Sequence, residues 1–178
     1  MRKFISEIVA DTVRFLCRIN SPYSIKEMTQ ERCIEIINAA KVGDVILLRT
    51  KGELTTLFQP KWTHSCIVVD GISLLEAVTT NVRNTSMMYA LARCDEAILL
   101  RPNQYVDVLV LQDYYRSRLN YPYDFSFDSS DEAFYCHELV AKALREASGI
   151  EVPKVKTLLG EKYLPDSFLK SGLFTQVL

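Results

Sequence analysis

The stretch Phe134-Tyr135-Cys136-His137-Glu138-Leu139-Val140-Ala141-Lys142-Ala143-Leu144 constrains this chain more than any other. Its apolar residues fall at Cys136, Leu139, Val140, Ala143, Leu144 and Ala147, the i, i+3, i+4 rhythm of an amphipathic helix. Glu138, Lys142, Arg145 and Glu146 are expected on the opposite side. Cys136 then opens the buried stripe and faces the body of the protein. A thiol near a helix N-terminus feels the positive end of the helix dipole, which favours thiolate. The plainer reading is a core cysteine, because free Cys packs as a small hydrophobe. The helix start has two solutions. Ser129-x-x-Glu132 has capping-box spacing and would put Cys136 in the second turn. Alternatively, residues 130–134 form their own turn and the helix restarts near Tyr135.

At 178 residues the chain is expected to form one domain with a sizeable core. A hydrophobic fraction of 48% and a charged fraction of 24% are those of an ordinary globular protein. The net charge of -1 argues against a nucleic-acid surface. No uncharged apolar run is long enough to span a bilayer. Met1-Arg2-Lys3-Phe4-Ile5 has the look of a signal-peptide start, but Glu7, Asp11 and Arg14 interrupt the apolar run. Ile5, Ile8, Val9, Val13 and Leu16 recur at helical spacing instead. That pattern predicts an amphipathic helix packed on the body or lying on a membrane surface. Packing is favoured, since its polar face is not rich in Lys and Arg. The five cysteines, Cys17, Cys33, Cys66, Cys94 and Cys136, are scattered, odd in number and free of any C-x-x-C. This argues against a disulfide framework and a zinc site, and for a reducing compartment. With only His64 and His137, a His-rich metal site is not expected either.

Along the chain, the patterns predict helices over 3–18 and 29–40, with Thr29 as N-cap of the second, and a turn at 41–44. A buried strand follows at Val45–Leu48, then a loop over 51–61 with a helical turn around Thr55 to Phe58. A hairpin joins Ser65–Val69 to Ser73–Val78 through Asp70-Gly71. A short helix over 85–93, a strand at 97–100, a helix over 105–119 and a polar, aromatic loop over 119–131 lead to the Cys136 helix. That helix ends at Ser148-Gly149. Pro153 and Pro165 mark a loop region before a last strand at 174–178. The order of elements is that of an α+β domain.

A cysteine nucleophile needs a base, and usually a third group to orient it. His64 is the candidate base outside the Cys136 helix. His137 follows Cys136 directly, so on a helix the two side chains diverge; it is read as exposed or as a secondary contact. Glu76 sits within the apolar run Leu74-Leu75-Glu76-Ala77-Val78, where an unpaired buried carboxylate would be costly. If Val69-Asp70-Gly71 forms the hairpin connection, His64 lies directly across from Glu76 on one face. A two-residue loop puts them on opposite faces. Glu76 on the solvent side of a half-exposed strand is the competing placement.

Five pieces of sequence, in order, resemble a known family. They are Lys41-Val42-Gly43-Asp44-Val45-Ile46-Leu47, Trp62-Thr63-His64-Ser65-Cys66-Ile67-Val68-Val69, Leu75-Glu76-Ala77, Tyr121-Pro122-Tyr123-Asp124-Phe125 and Tyr135-Cys136-His137-Glu138-Leu139-Val140. Together they look like the YiiX-like, circularly permuted branch of the NlpC-type papain-like cysteine hydrolases, in which the His strand precedes the Cys helix. The resemblance implies an α+β, papain-like fold: a small antiparallel sheet or open barrel against the nucleophile helix. Residues 41–178 would be the hydrolase core and 1–40 an N-terminal helical addition. It implies Cys136 as nucleophile, His64 as base, Glu76 as orienting group and Tyr123 near the site as a substrate or oxyanion contact. It implies no cofactor or metal, and a small peptide or amide substrate such as a peptidoglycan fragment. The family usually carries Ser where this chain has His137. The missing signal peptide points to the cytoplasm, with phage association or release by lysis as other routes to a cell-wall substrate. A lipid-directed acyl hydrolase or transferase and a catalytically idle binding module are the competing functions on the same fold.

Overall fold

The computed structural model describes residues 28–50, 61–128, 130–157 and 160–178. The helix expected over 3–18, and the turn and apolar loop around Leu57 and Phe58, lie outside these residues. The described elements are α1 (Gln30–Ala39), β1 (Val45–Arg49), β2 (His64–Val68), β3 (Ser73–Ala77), β4 (Val82–Ser86), α2 (Met87–Ala92), β5 (Glu96–Pro102), α3 (Val108–Arg118), α4 (Cys136–Ser148), β6 (Val155–Thr157), β7 (Gly160–Lys162), α5 (Pro165–Leu169) and β8 (Phe174–Gln176). Six strands form one sheet in the order β4-β3-β2-β1-β5-β8, with every neighbouring pair antiparallel. β6 and β7 make a separate hairpin. This is the expected α+β architecture, a small antiparallel sheet with the cysteine helix packed on it.

The central strands read as unbroken apolar runs because both faces of the sheet are covered. On one face Val45, Leu47, Ile67, Leu75 and Leu100 meet Leu139, Val140, Ala143 and Leu144 of α4, with Leu111 of α3 and Phe168 of α5 closing the layer. On the other, Ile46, Leu48, Val68, Leu74 and Leu99 meet Ile36 of α1 and Met87 and Leu91 of α2. Among the described residues no helix is long and apolar enough to cross a membrane.

Several elements depart from expectation. β4 occupies part of the span read as loop and helix, so the predicted helix over 85–93 shortens to Met87–Ala92. The predicted helix over 105–119 begins at Val108, because the Asp107 side chain accepts from Leu109 N–H and Val110 N–H and caps it there. β6, β7 and α5 fill the C-terminal span read as loop. α1 and its Thr29 cap stand as predicted, with Thr29 Oγ1 accepting from Arg32 N–H at 3.2 Å.

The Gly43-Asp44 pair has a structural task. Gly43 has φ +90°, and a Cβ there would lie 2.9 Å from Val106 Cβ, so both backbone conformation and close approach require glycine. Asp44, buried, accepts from Lys41 N–H at 2.8 Å and from Arg101 Nε and Nη2 at 2.9 and 2.7 Å. Arg101 Nη2 also donates to Ala39 O at 2.9 Å. One ion pair thus ties the end of α1 to β1 and β5. Asp44→Ala is expected to cost about 2–3 kcal/mol, the worth of a hydrogen-bonded charged group. In thermal unfolding that is a fall in Tm of about 4–12 °C. An unchanged Tm would show that the corner carries no stability.

Candidate active site

α4 begins at Cys136, with Tyr135 as N-cap in an extended conformation (φ -93°, ψ 164°). The segment before it fixes this start. Tyr123 and Phe134 form a parallel bridge, in which Asp124 N–H donates to Phe134 O at 3.1 Å and Phe134 N–H to Pro122 O at 3.0 Å. The Tyr135 hydroxyl accepts from Tyr163 N–H at 2.8 Å, and its ring packs on Phe127 with centroids 5.0 Å apart. A chain held extended through Tyr135 cannot already be helical from Ser130. Of the two predicted starts the later one is realised, and Cys136 is the first helical residue. Its sulfur sits where unpaired N–H groups converge at the positive end of the dipole.

The polar side of α4 is not solvent-facing at its N-terminal half. Glu138 and Lys142, expected outside, are buried, and only Arg145 and Glu146 of that set are exposed. The reason is the preceding loop, which folds over the helix. Lys142 Nζ donates to Ser130 O and Asp131 Oδ1, both at 2.8 Å, and pairs with Glu138 Oε1 at 3.0 Å. Burial pushes the Glu138 carboxyl up to about 7 despite that lysine. His137 is not exposed either: it is buried, with Nδ1 2.9 Å from Ser65 Oγ of β2. The contact pins the start of α4 to the strand that carries His64.

The β2–β3 hairpin pairs Ile67 with Leu75 and Val68 with Leu74, and Val69 N–H donates to Ser73 O at 3.1 Å. Its connection is therefore Asp70-Gly71-Ile72, one residue later than the Val69-Asp70-Gly71 loop considered from sequence. Asp70 Oδ1 selects it by accepting from Ile72 N–H at 2.8 Å and Ser73 N–H at 2.6 Å. The loop is still three residues long, so His64 and Glu76 share a face. On this register His64 is the diagonal neighbour of Glu76, and Cys66 stands opposite it. The contact is made: His64 Nε2 lies 2.9 Å from Glu76 Oε2.

Glu76 is wholly buried, which removes the solvent-face alternative. Its other oxygen accepts from Arg83 Nε at 2.8 Å, Arg83 Nη2 at 2.7 Å and the Thr85 hydroxyl. Burial alone would raise its pKa. The bond and charge of His64, then the bonds of Thr85 and Arg83, outweigh burial and hold the carboxyl well below the usual range. Arg83 and Thr85 lie on β4, directly across from Glu76 and Leu74. Sequence reasoning missed both. The signal was Glu76 itself: a carboxylate on a buried strand needs a cation, and Arg83 is the next basic residue along the chain.

Cys136 interacts through its side chain with both histidines. Burial opposes its ionisation, but the charge and hydrogen bond of His137, and then those of His64, hold the thiol well below its ordinary value. For His64, burial opposes the charged form. Cys66, Cys136 and Glu76 overcome it and hold the imidazole well above its ordinary value. Both directions favour the charged forms, thiolate and imidazolium, and Nε2 is the ring nitrogen that meets the carboxylate. Cys66 is wholly buried beside this pair, its thiol pushed up by burial. His64, Cys66 and Glu76 offer donor atoms within 4.8 Å of one another, the one such metal-type group among the described residues. Tyr123, bridged to Phe134 two residues before Cys136, is half-buried with its ring 4.8 Å from that of Phe125.

Comparison with known proteins follows the same line. No curated protein sequence matches the chain. A crystal structure from Escherichia coli O157:H7, described as the metalloprotein yiiX, superposes with a TM-score of 0.67 at 21% identity, covering 78% of this chain and 96% of that one. At that identity the likeness shows the fold. Residues 39–178 match the permuted papain-like amidase enzymes of the YaeF/YiiX type, the C92 peptidase family. With the match spanning most of its length, the chain belongs to that family of papain-like cysteine amidases.

Proposed function

We propose that the protein hydrolyses an amide bond in a small peptide, of the kind found in bacterial cell walls, through Cys136, His64 and Glu76 and a thioester intermediate. The observation that supports it most is the His64–Glu76 pair, with the imidazole anchored at 2.9 Å by a carboxylate that is itself fully paired. The family's amidase character supports the bond type. In the same reading, residues 41–178 are the hydrolase core and residues 1–40 an addition to it.

The thiolate of Cys136 attacks the carbonyl carbon, and its negative charge passes to the carbonyl oxygen. The Cys136 backbone N–H, first in α4, donates to that oxyanion, with the Tyr123 hydroxyl as a second donor. His64 Nδ1–H gives its proton to the departing amine as the C–N bond breaks, leaving a thioester on Cys136. The neutral imidazole then takes a proton from water, whose oxygen attacks the thioester and releases the acid and the thiolate. Glu76 accepts from Nε2–H throughout, so Nδ1 is the nitrogen that faces the reaction. The E. coli neighbour is described as a metalloprotein. Carried over to this chain, a cation would meet donors at His64 and Cys66, where it would act as a Lewis acid. None of the hydrolytic steps above is routed through it.

Three outcomes test the reading. Glu76→Gln keeps the size and accepting capacity of the side chain but removes the charge that stabilises imidazolium. Amide turnover is expected to fall by about 10²–10⁴ with cooperative thermal unfolding retained, whereas Cys136→Ala abolishes turnover. Full activity in Glu76→Gln would remove it from the site. The pH profile of kcat/KM should be a bell. Its acid limb belongs to Cys136, whose pKa is lowered, because thiolate is lost as pH falls through it; its basic limb belongs to His64, whose pKa is raised, because the general acid is lost as pH rises. Alkylation of Cys136 by iodoacetamide should vary by less than about twofold between about pH 6 and 8, where an ordinary thiol gains about tenfold per unit. Cys94, buried and pushed up to about 12, serves as the internal control. If Cys136 labels no faster than Cys94 at neutral pH, the enzyme reading fails.

A further inference from the structure

Packing on the sheet accounts for the apolar stripe of α4, and solvent for its exposed charges, but Lys142 belongs to neither. It is buried, and it points about 120° round the helix from Cys136. Its ammonium is surrounded. Nζ donates to Ser130 O and Asp131 Oδ1, both at 2.8 Å, pairs with Glu138 Oε1 at 3.0 Å and lies 5.0 Å from the centroid of the Phe134 ring. Burial disfavours its charge, and the bonds of Asp131 and Glu138 outweigh burial and hold the ammonium above its ordinary value. A buried ion pair is weak evidence for stability, since apolar residues of similar volume pack as well or better. Its geometry points instead to what the cation gathers.

Three of its partners lie on one short piece of chain, Ser130 to Phe134, and that piece leads to Tyr123. Phe134 N–H donates to Pro122 O at 3.0 Å, and Asp124 N–H donates to Phe134 O at 3.1 Å. The residues on either side of Tyr123 are therefore both bonded to Phe134. Lys142 holds Phe134, and Phe134 holds Tyr123. The start of α4 is secured separately. Tyr135 is held through its hydroxyl by Tyr163 N–H at 2.8 Å, and His137 Nδ1 lies 2.9 Å from Ser65 Oγ. These two ties flank Cys136, and neither passes through Lys142. The nucleophile and the tyrosine thus have independent supports.

We propose that Lys142 is a positioning residue of the hydrolase: it ties Phe134 to α4 and thereby sets the Tyr123 hydroxyl for the oxyanion. This rests on the amidase reading above, with Tyr123 as the second oxyanion donor. Such a donor stabilises the developing charge only if it is held in place before the charge appears. A misplacement of about 1 Å can cost about 10² in rate. The donor acts on the transition state and not on the bound amide, so loss of the tie falls on kcat and leaves KM.

The test variant is the full chain carrying Lys142→Met and Glu138→Leu together, which removes the tie without leaving either charge buried alone. In amide turnover its kcat should fall about 10–100-fold, with KM within about twofold of wild type. Tyr123→Phe should give a loss of the same size. Adding it to the paired variant should cost less than about twofold more, because both remove one donor. Alkylation of Cys136 by iodoacetamide should keep its wild-type rate and pH dependence. Hydrogen exchange should accelerate at the Asp124 and Phe134 amides and stay unchanged at Leu139 in α4. Wild-type kcat in the paired variant overturns the proposal, as does a loss additive with that of Tyr123→Phe, or one matched by slower alkylation of Cys136. Should the paired variant not unfold cooperatively, Asp131→Lys, at an exposed position, opposes the ammonium from outside, and the same loss of kcat and the same non-additivity are required of it. A wild-type chain without amide turnover sinks the hydrolase, while accelerated exchange in the variant leaves the tie standing. Unchanged exchange at Asp124 and Phe134 sinks the tie and leaves the hydrolase standing.

Discussion

A carboxylate with no exposed surface sits at the centre of this structure, and much else is arranged around satisfying it. Glu76 faces His64 with one oxygen, and Arg83 and Thr85 with the other. Taking a charge out of water costs several kcal/mol, and leaving a buried charge unpaired by removing its partner typically costs about 3–5 kcal/mol. The strands that supply those partners are thereby locked together. β2 contributes the imidazole, β4 the guanidinium and hydroxyl, and β3 the carboxylate between them. His64 first, then Thr85 and Arg83, keep Glu76 ionised, and the ionised carboxylate in turn holds the His64 ring at Nε2.

The second arm of the site depends on packing rather than charge. α4 is buried on its apolar stripe by the sheet and on its polar side by the segment at Ser130 and Asp131, which Lys142 holds. A helix enclosed in this way has little freedom to rotate or slide. Its first residue inherits that rigidity, and the His137–Ser65 contact adds a direct tie between helix and strand. The position of Cys136 against His64 is therefore set by a whole layer of side chains, not by a local turn.

Much of this was legible in the sequence. The rhythm of α4 and the apolar runs of β1, β2, β3 and β5 follow from period, and a partner for Glu76 from the cost of burying charge, met by His64 across a three-residue loop that the sequence left open; the grouping of Cys136 with them was implied by the family resemblance. What escaped did so for physical reasons. β4 reads Val82-Arg83-Asn84-Thr85-Ser86, a polar edge strand in which only Val82 and Thr85 are buried, so no alternation announces it. The hairpin loop lies one residue further on because the Asp70 side chain, not the glycine, chooses the turn. Glu138, Lys142 and His137 look like an exposed face because helical period reports one packing layer, and α4 has two. Cys66 looks like any core residue in a strand, since its neighbour across the hairpin cannot be known before the register is.

Ser65 and His137 touch across 72 positions of chain, and their neighbours His64 and Cys136 are brought together by the same contact. Of the two histidines that lower the Cys136 thiol, His137 is its neighbour in sequence and His64 stands far away on β2. In a denatured or half-made polypeptide Cys136 is an unremarkable thiol, protonated at neutral pH and no more nucleophilic than its four fellows. Part of what lowers the thiol, the contribution of His64, exists only once sheet and helix have docked, so the acidity of Cys136 is a gauge of nativeness.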